Sequence, residues 1–371
     1  MARISKSKAA KFNAHTLQKL QDAVEIDPEV DLTTKLPSRY SARLTKMRRV
    51  VQSDNVPKVT PKDEDIRAFL RASDSVEIVF SLSEAVLNLL GIPRNTASTP
   101  NDLSERLVHV VQASEIIWKA PFARQKMVIN CGHNIAVKAV RAMEDHTEYT
   151  TLKYIQQHKP SIPAPEPQGL VKMGDVSLIF MTHIPSNNLT DVWPSMDSAQ
   201  KVSVKEQLSK ILMDIRSLPY ATGTPFGGVG GEGCKDIRRH LRRSDRPITT
   251  VSEFEDFLFT GPHPGGQIFV KFLRQLSPQD QPSSSAIVFT HGDLRPDNIV
   301  VKKENNEWII TGLLDWEYSG FYPEYYEAIK STNCLGPYEE NDWFLFLPDC
   351  ISPTRYTHWW LLDRVRETRL V

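Results

Sequence analysis

The chain has 371 residues, 40% of them hydrophobic and 24% charged, enough for one large core or two lobes. Lysine plus arginine equals aspartate plus glutamate at 45 each, so no global field draws the protein toward nucleic acid or a membrane surface. Four scattered cysteines, Cys131, Cys234, Cys334 and Cys350, without a C-x-x-C pair, argue against a disulfide framework and a structural zinc site.

The first twenty residues are basic, with Arg3, Lys6, Lys8, Lys11 and Lys19 ahead of Asp22, and they lack the apolar core of a signal peptide. They are poor in arginine for a transit peptide, and no apolar run approaches a membrane span. A solvated tail and a cytoplasmic location are expected. Residues 1 to about 62, interrupted by Pro28, Pro37, Pro57 and Pro61, are expected to be loose or peripheral. A helix is expected at about 75–90, capped by Asp74 or Ser75, carrying Val76, Val79, Phe80, Leu82, Val86, Leu87 and Leu90, and stopped by Gly91 with Pro93 beyond. Residues 94–102 form a linker by composition, so 1–104 are expected to be an N-terminal extension. Residues 107–111, 115–118, 127–130 and 134–140 then predict short strands, with a turn at Cys131, Gly132 and His133.

Residues 148–158 predict a helix with Leu152 and Ile155 inward, and 161–167 a connector stiffened by Pro163, Pro165 and Pro167. A strand at 176–182 leads through His183, Ile184 and Pro185 into polar Ser186, Asn187 and Asn188, which has the composition of a hinge. Asp197 or Ser198 caps a helix whose core stripe is Leu208, Ile211, Leu212, Ile215 and Leu218, ended by Pro219. The glycine cluster at 227–236 is no P-loop, because Cys234 separates Gly233 from Lys235. Arg238, Arg239, Arg242, Arg243 and Arg246 suit a solvated helix face better than an anion site. Tyr322, Tyr325, Tyr326, Trp343, Trp359 and Trp360 are expected mostly in the core.

The informative stretch is Phe289-Thr290-His291-Gly292-Asp293-Leu294-Arg295-Pro296-Asp297-Asn298, followed by Gly312-Leu313-Leu314-Asp315-Trp316-Glu317. Apolar runs before His291, at 299–301 and at 309–314, with a turn at 303–307, would deliver Asp293, Asn298 and Asp315 to one edge of a sheet. Phosphoryl transfer needs this kind of set: a carboxylate to take the hydroxyl proton, and an amide oxygen with a second carboxylate for Mg²⁺. Asp293 fits the first role, Asn298 and Asp315 the second, and His291 would brace the loop.

The pattern His291-Gly292-Asp293, four residues, then Asn298 resembles the aminoglycoside phosphotransferase and choline kinase group of small-molecule kinases. The segments 191–194, 216–219, 230–234 and 320–327 are most similar to the phosphotransferase-family proteins of filamentous fungi, and the likeness covers roughly residues 115 to 350. The resemblance implies an α+β, two-lobed protein-kinase-like fold, with a small N-lobe sheet and one key helix within 105–184 and a larger, mainly helical C-lobe within 185–371. It implies ATP or another nucleoside triphosphate as co-substrate, Mg²⁺, and a small-molecule hydroxyl acceptor, with no nucleic acid or membrane partner. Lys138 stands at the place of the strand lysine that touches nucleotide phosphates, with Glu148 as its partner, although Arg141 competes for that ion pair. Thr182, His183 and Ile184 would read adenine. A protein kinase is disfavoured by His291-Gly292-Asp293 and the lack of Ala-Pro-Glu downstream. The usual glycine-rich turn is missing, since neither Ala113-Ser114 nor residues 120–123 contain glycine, and this keeps a catalytically weak or inactive kinase-like protein that binds a nucleotide or another ligand as the alternative.

Overall fold

The computed structural model describes residues 8–37, 40, 44, 65–92, 100–120, 125–237, 241–259, 266–276 and 286–370. The backbone contacts divide it into residues 1–64 and 65–371. In the first unit, expected to be loose, α1 (Lys8–Ile26) is a 19-residue helix, and a 3₁₀ turn at Leu32–Lys35 is capped by Asp31. A run rich in Ala, Leu, Lys and Gln without Gly or Pro favours that helix, and Pro28 lies just beyond its end. Arg3 and Lys6 lie outside the described residues, as do 94–99 of the linker and 121–123 of the glycine-free turn.

The second unit opens on an antiparallel six-stranded sheet. Its strands are β1 (Val76–Phe80), β2 (Glu115–Lys119), β3 (Lys126–Asn130), β4 (Ile135–Arg141), β5 (Pro167–Met173) and β6 (Val176–Thr182), in the order β1-β5-β6-β4-β3-β2. The helix expected at 75–90 is therefore wrong in its first half. β-Branched Val76 and Ile78 pair along the edge of β5, opposite Met173 and Val171, and only α2 (Glu84–Leu89), capped by Ser83, is helical. The strand expected at 107–111 is instead part of α3 (Pro100–Ala113), whose buried Leu103, Leu107 and Val111 recur every four residues. Alternation along β4 turns Val137 and Ala139 into the core under α2 and α3 and Lys138 to the opposite face. On that face lies α4 (Thr147–His158), whose Tyr149, Leu152 and Ile155 join the main core.

The larger lobe follows through β7 (Asn187–Asn188) and α5 (Leu189–Val192) to α6 (Ser198–Arg216), started by a capping box of Asp197 and Gln200. Of the arginine cluster, read as a helix face, Arg242 and Arg243 fall instead on β9 (Leu241–Arg243), which pairs with β8 (Lys235–Ile237), Arg246 lies beyond it, and Arg238 and Arg239 are outside the described residues. Two helices, α7 (Val251–Phe259) and α8 (Gln267–Gln275), precede β10 (Ile287–Thr290). Next, β11 (Ile299–Glu304) and β12 (Glu307–Leu313) form a hairpin turned by Asn305 and Asn306, both at positive φ. β13 (Gly320–Pro323) pairs with β10, and α9 (Tyr326–Lys330) and α10 (Thr357–Leu370) complete the lobe. Tyr322, Tyr325, Tyr326, Trp343 and Trp359 are buried, as expected. This is the two-lobed α+β arrangement of the kinase-like fold. Among the described residues no helix is long and apolar enough to cross a membrane.

Candidate active site

The loop from His291 to Asn298 leaves β10 and enters β11, and three interactions fix its shape. Glu327, buried at the start of α9, accepts hydrogen bonds from the His291 amide at 2.6 Å and the Gly292 amide at 3.2 Å. The His291 ring donates from Nε2 to the Leu314 carbonyl at 3.0 Å, and its Nδ1 accepts from the Asp293 amide at 3.3 Å. Burial drives the His291 pKa down to about 4, so the ring is neutral near pH 7, as that pattern of bonds requires. Gly292 sits at φ 84°, and a Cβ there would stand 2.3 Å from the Tyr318 carbonyl oxygen. Glycine is thus the residue that lets the loop lie against the strand exit after Asp315.

Asn298 donates from Nδ2 to the Asp293 carbonyl at 2.7 Å and to its Oδ2 at 3.1 Å. Its amide oxygen is then the atom left for a metal. Burial raises the Asp293 carboxyl to about 6, with Arg295 pulling it back and Asp315 adding to the rise. The Asn298 carbonyl accepts from the Leu314 amide at 2.8 Å, which sets the start of β11 beside the residue preceding Asp315. Asp315 takes a left-handed φ of 66°.

Lys138 reaches this loop from β4. Its ammonium is 2.6 Å from Glu148, 2.6 Å from Asp315 and 3.6 Å from Glu317. Burial opposes its charge, but the three carboxylates outweigh that and hold it firmly protonated. Burial pushes Glu148 up, whereas Lys138 and Lys126 overcome burial to draw Glu317 down to about 2. Arg141, the competing partner, pairs with Asp175 and covers the Phe69 ring instead.

Carboxylate oxygens of Glu148, Asp315 and Glu317 lie within 4.8 Å of one another. This all-oxygen set, two of whose members also hold the Lys138 ammonium, is of the chemistry that a hard divalent ion such as Mg²⁺ takes. At the end of β6, the Thr182 hydroxyl accepts from the Glu166 amide at 2.8 Å and the His183 amide donates to the Asn134 carbonyl at 2.9 Å. Ile184 packs over Gly312 of β12. The side chain of Thr182 and the amide of His183 are therefore already occupied.

Four participants escaped the sequence reading. Glu317 stood in the quoted segment two residues past Asp315, and Glu327 closed the segment 320–327, but neither had a spacing that assigns a role. Lys126 opens a strand without any motif. Lys235, in the glycine cluster, is buried and donates to Asp145 at 2.9 Å, Thr147 at 2.6 Å and the Glu317 carbonyl at 2.7 Å. Burial lowers its pKa to about 8. It joins the start of α4 to the loop after Asp315, as does the 2.7 Å hydroxyl pair of Thr151 and Ser319. The glycine loop itself borders a cavity of about 500 Å³ with Tyr154, Phe226 and Phe321 in its wall.

The phosphotransferase enzyme family, APH, matches residues 137–341. No curated protein matches the chain. The streptomycin–ATP–APH(2")-IIa ternary complex is similar at 10% identity, covering 73% of this chain and 87% of that one, with a TM-score of 0.47. The aminoglycoside phosphotransferase APH(3'')-Id from Streptomyces rimosus is similar at 13% identity, with 70% and 94% covered and a TM-score of 0.41. The Cydia pomonella granulovirus kinase PK-1 is similar at 11% identity, with 58% and 55% covered and a TM-score of 0.30. The family match takes in more than half of the sequence and spans Lys138, Glu148, the whole 291–298 loop and Asp315, and the chain belongs to the phosphotransferase enzyme family.

Proposed function

We propose that this protein transfers the γ-phosphoryl group of a nucleoside triphosphate, ATP in the first instance, to a hydroxyl of a small-molecule acceptor. One observation carries the reading: side chains from β4, α4, the 291–298 loop and the end of β12 converge, with Lys138 bridging Glu148 and Asp315 and Asn298 bonded to Asp293. In this scheme Asp293 orients the acceptor hydroxyl and takes its proton as the oxygen bonds to the γ-phosphorus. The bond from that phosphorus to the bridging oxygen breaks, and the nucleoside diphosphate leaves. A pKa of about 6 suits a base that is mostly ionised near neutral pH. His291 holds the loop. Asn298 and Asp315 would hold Mg²⁺, which when bound neutralises charge on the phosphates. Lys138, positioned by Glu148, would meet phosphate oxygens, and the Ile184 amide with the Thr182 and His183 carbonyls would face the base.

The test has two arms. MgATP should raise the melting temperature, by an amount corresponding to about 2.7 kcal/mol at a hundredfold excess over Kd. Asp315→Ala should remove the magnesium-dependent part. A metabolite library with MgATP, read by mass spectrometry for added phosphate, supplies the acceptor. On that acceptor Asp293→Asn should bind MgATP normally and turn over about two orders of magnitude or more slowly. Nucleotide binding with no phosphorylated product would favour the non-catalytic alternative, and no thermal shift at millimolar MgATP would remove the phosphotransfer reading in favour of a non-catalytic ligand-binding protein or a role without nucleotide.

A further inference from the structure

The cluster around Lys138 contains a second cation that the roles above leave unused. Lys126, the first residue of β3, lies opposite Val140 of β4. Its ammonium is 2.7 Å from Oε1 and 2.5 Å from Oε2 of Glu317. The same Oε2 atom is 3.6 Å from the Lys138 ammonium. An anionic oxygen standing where Oε2 stands would therefore touch both cations. A cavity of about 240 Å³ adjoins the cluster, and Lys126, Glu148, Lys235, Glu317 and Tyr318 are among its walls.

The two lysines differ in how firmly they are held. The Lys138 side chain is 6% exposed and faces three carboxylates, whereas the Lys126–Glu317 pair is 25% and 20% exposed. An incoming anion can thus reach Lys126 without stripping a buried charge of its partners. The chain also needs a substitute cradle. Residues 120–125, between β2 and β3, contain no glycine, so the close approach of backbone amides that a glycine-rich turn allows is not encoded there. A flexible ammonium at the first position of the following strand supplies a point charge in its place.

We propose that Lys126 is a phosphate-binding residue of the nucleotide site, exchanging the Glu317 carboxylate for a terminal phosphate oxygen that it shares with Lys138. The assignment rests on the nucleotide reading above and adds the means by which the polyphosphate is held. The test compares wild type, Lys126→Ala and Lys126→Arg for binding of MgATP and of adenosine by titration calorimetry. Lys126→Ala should weaken MgATP by about tenfold, the effect of losing one charge-assisted hydrogen bond, and leave adenosine affinity unchanged. Lys126→Arg, which keeps the charge on the same strand, should stay within about threefold of wild type for both ligands. Equal losses for MgATP and adenosine, or an unchanged MgATP affinity in Lys126→Ala, would overturn the assignment while leaving the nucleotide reading intact. A wild type that binds neither ligand would overturn both.

Discussion

Glu327 carries two backbone amides of the 291–298 loop on one carboxylate, and its burial raises its pKa to about 7. Glutamine keeps the size of the side chain but offers a single acceptor oxygen, so Glu327→Gln leaves one buried amide short of a partner. The expected cost is about 1–3 kcal/mol in a urea denaturation. The pH dependence has a definite direction. The folded pKa of about 7 lies above the ordinary 4.5, so the fold binds this proton more tightly than the unfolded chain does. The resulting stabilisation is complete below pH 4.5 and is lost as the pH rises to about 7. The stability gap between wild type and Glu327→Gln should therefore be widest at acid pH and narrow across that window. His291 acts in the opposite sense, because its pKa falls from 6.5 to about 4 and its contribution is lost as the pH drops through that interval. Melting temperatures of both proteins measured from pH 4 to 8 would separate the two; a gap that stays constant with pH would sink the account of Glu327.

At the level of elements, the glycine loop is held by backbone approaching backbone. Gly227 and Phe321 exchange two hydrogen bonds of 2.9 Å, and a Cβ on Gly227, at φ 101°, would stand 2.0 Å from the Gly233 carbonyl oxygen. Gly231 is also at positive φ, 86°, but nothing lies within 4 Å of its Cβ position. Gly231→Ala should cost about 1 kcal/mol, the strain of the dihedral alone. Gly227→Ala should cost more, about 3 kcal/mol, because strain and collision combine. Equal denaturation midpoints for the two variants would contradict this picture. The same contrast between local and distant causes decides what was legible in the sequence. The spacing of Asp293, Asn298 and Asp315 and the apolar runs of β10, β11 and β12 are local, and they were readable. β1 was not, because what makes Val76–Phe80 a strand is the edge of β5, nearly a hundred residues on. The apolar residues from Val76 to Leu90 suit a helix equally well until that partner is known. Residues 107–111 look like a strand in isolation, and only Leu103 restores the period of four. Glu327 and Lys126 act on groups 36 and 191 positions away, at no spacing that a motif records.

Across the whole molecule, the C-terminal helix is fastened to the β8–β9 hairpin by buried charge. Asp236 meets Lys330 and, at 3.1 Å, Arg366, which is itself 3.1 Å from Asp363. Tyr325 stacks on Trp359 with centroids 4.1 Å apart, adding an apolar seal between α10 and the residue preceding α9. Arg366→Ala should destabilise the protein by about 1–3 kcal/mol, since it takes one buried, charge-assisted partner from both Asp236 and Asp363. A denaturation midpoint unchanged from wild type would show that Asp236 is neutralised by Lys330 alone. Lys138 and Lys126 depend on contacts of still longer range. Lys138 meets Asp315 across 177 positions of sequence and Lys126 meets Glu317 across 191. Closing loops of that size is slow compared with forming the hairpins and helices that surround them. The N-lobe sheet takes its six strands from residues before 183, so a ribosome can release it long before Asp315 is made. On a growing chain, Lys138 and Glu148 can pair with each other first and must then wait for Asp315 and Glu317, which makes this charge cluster one of the last parts of the protein to mature.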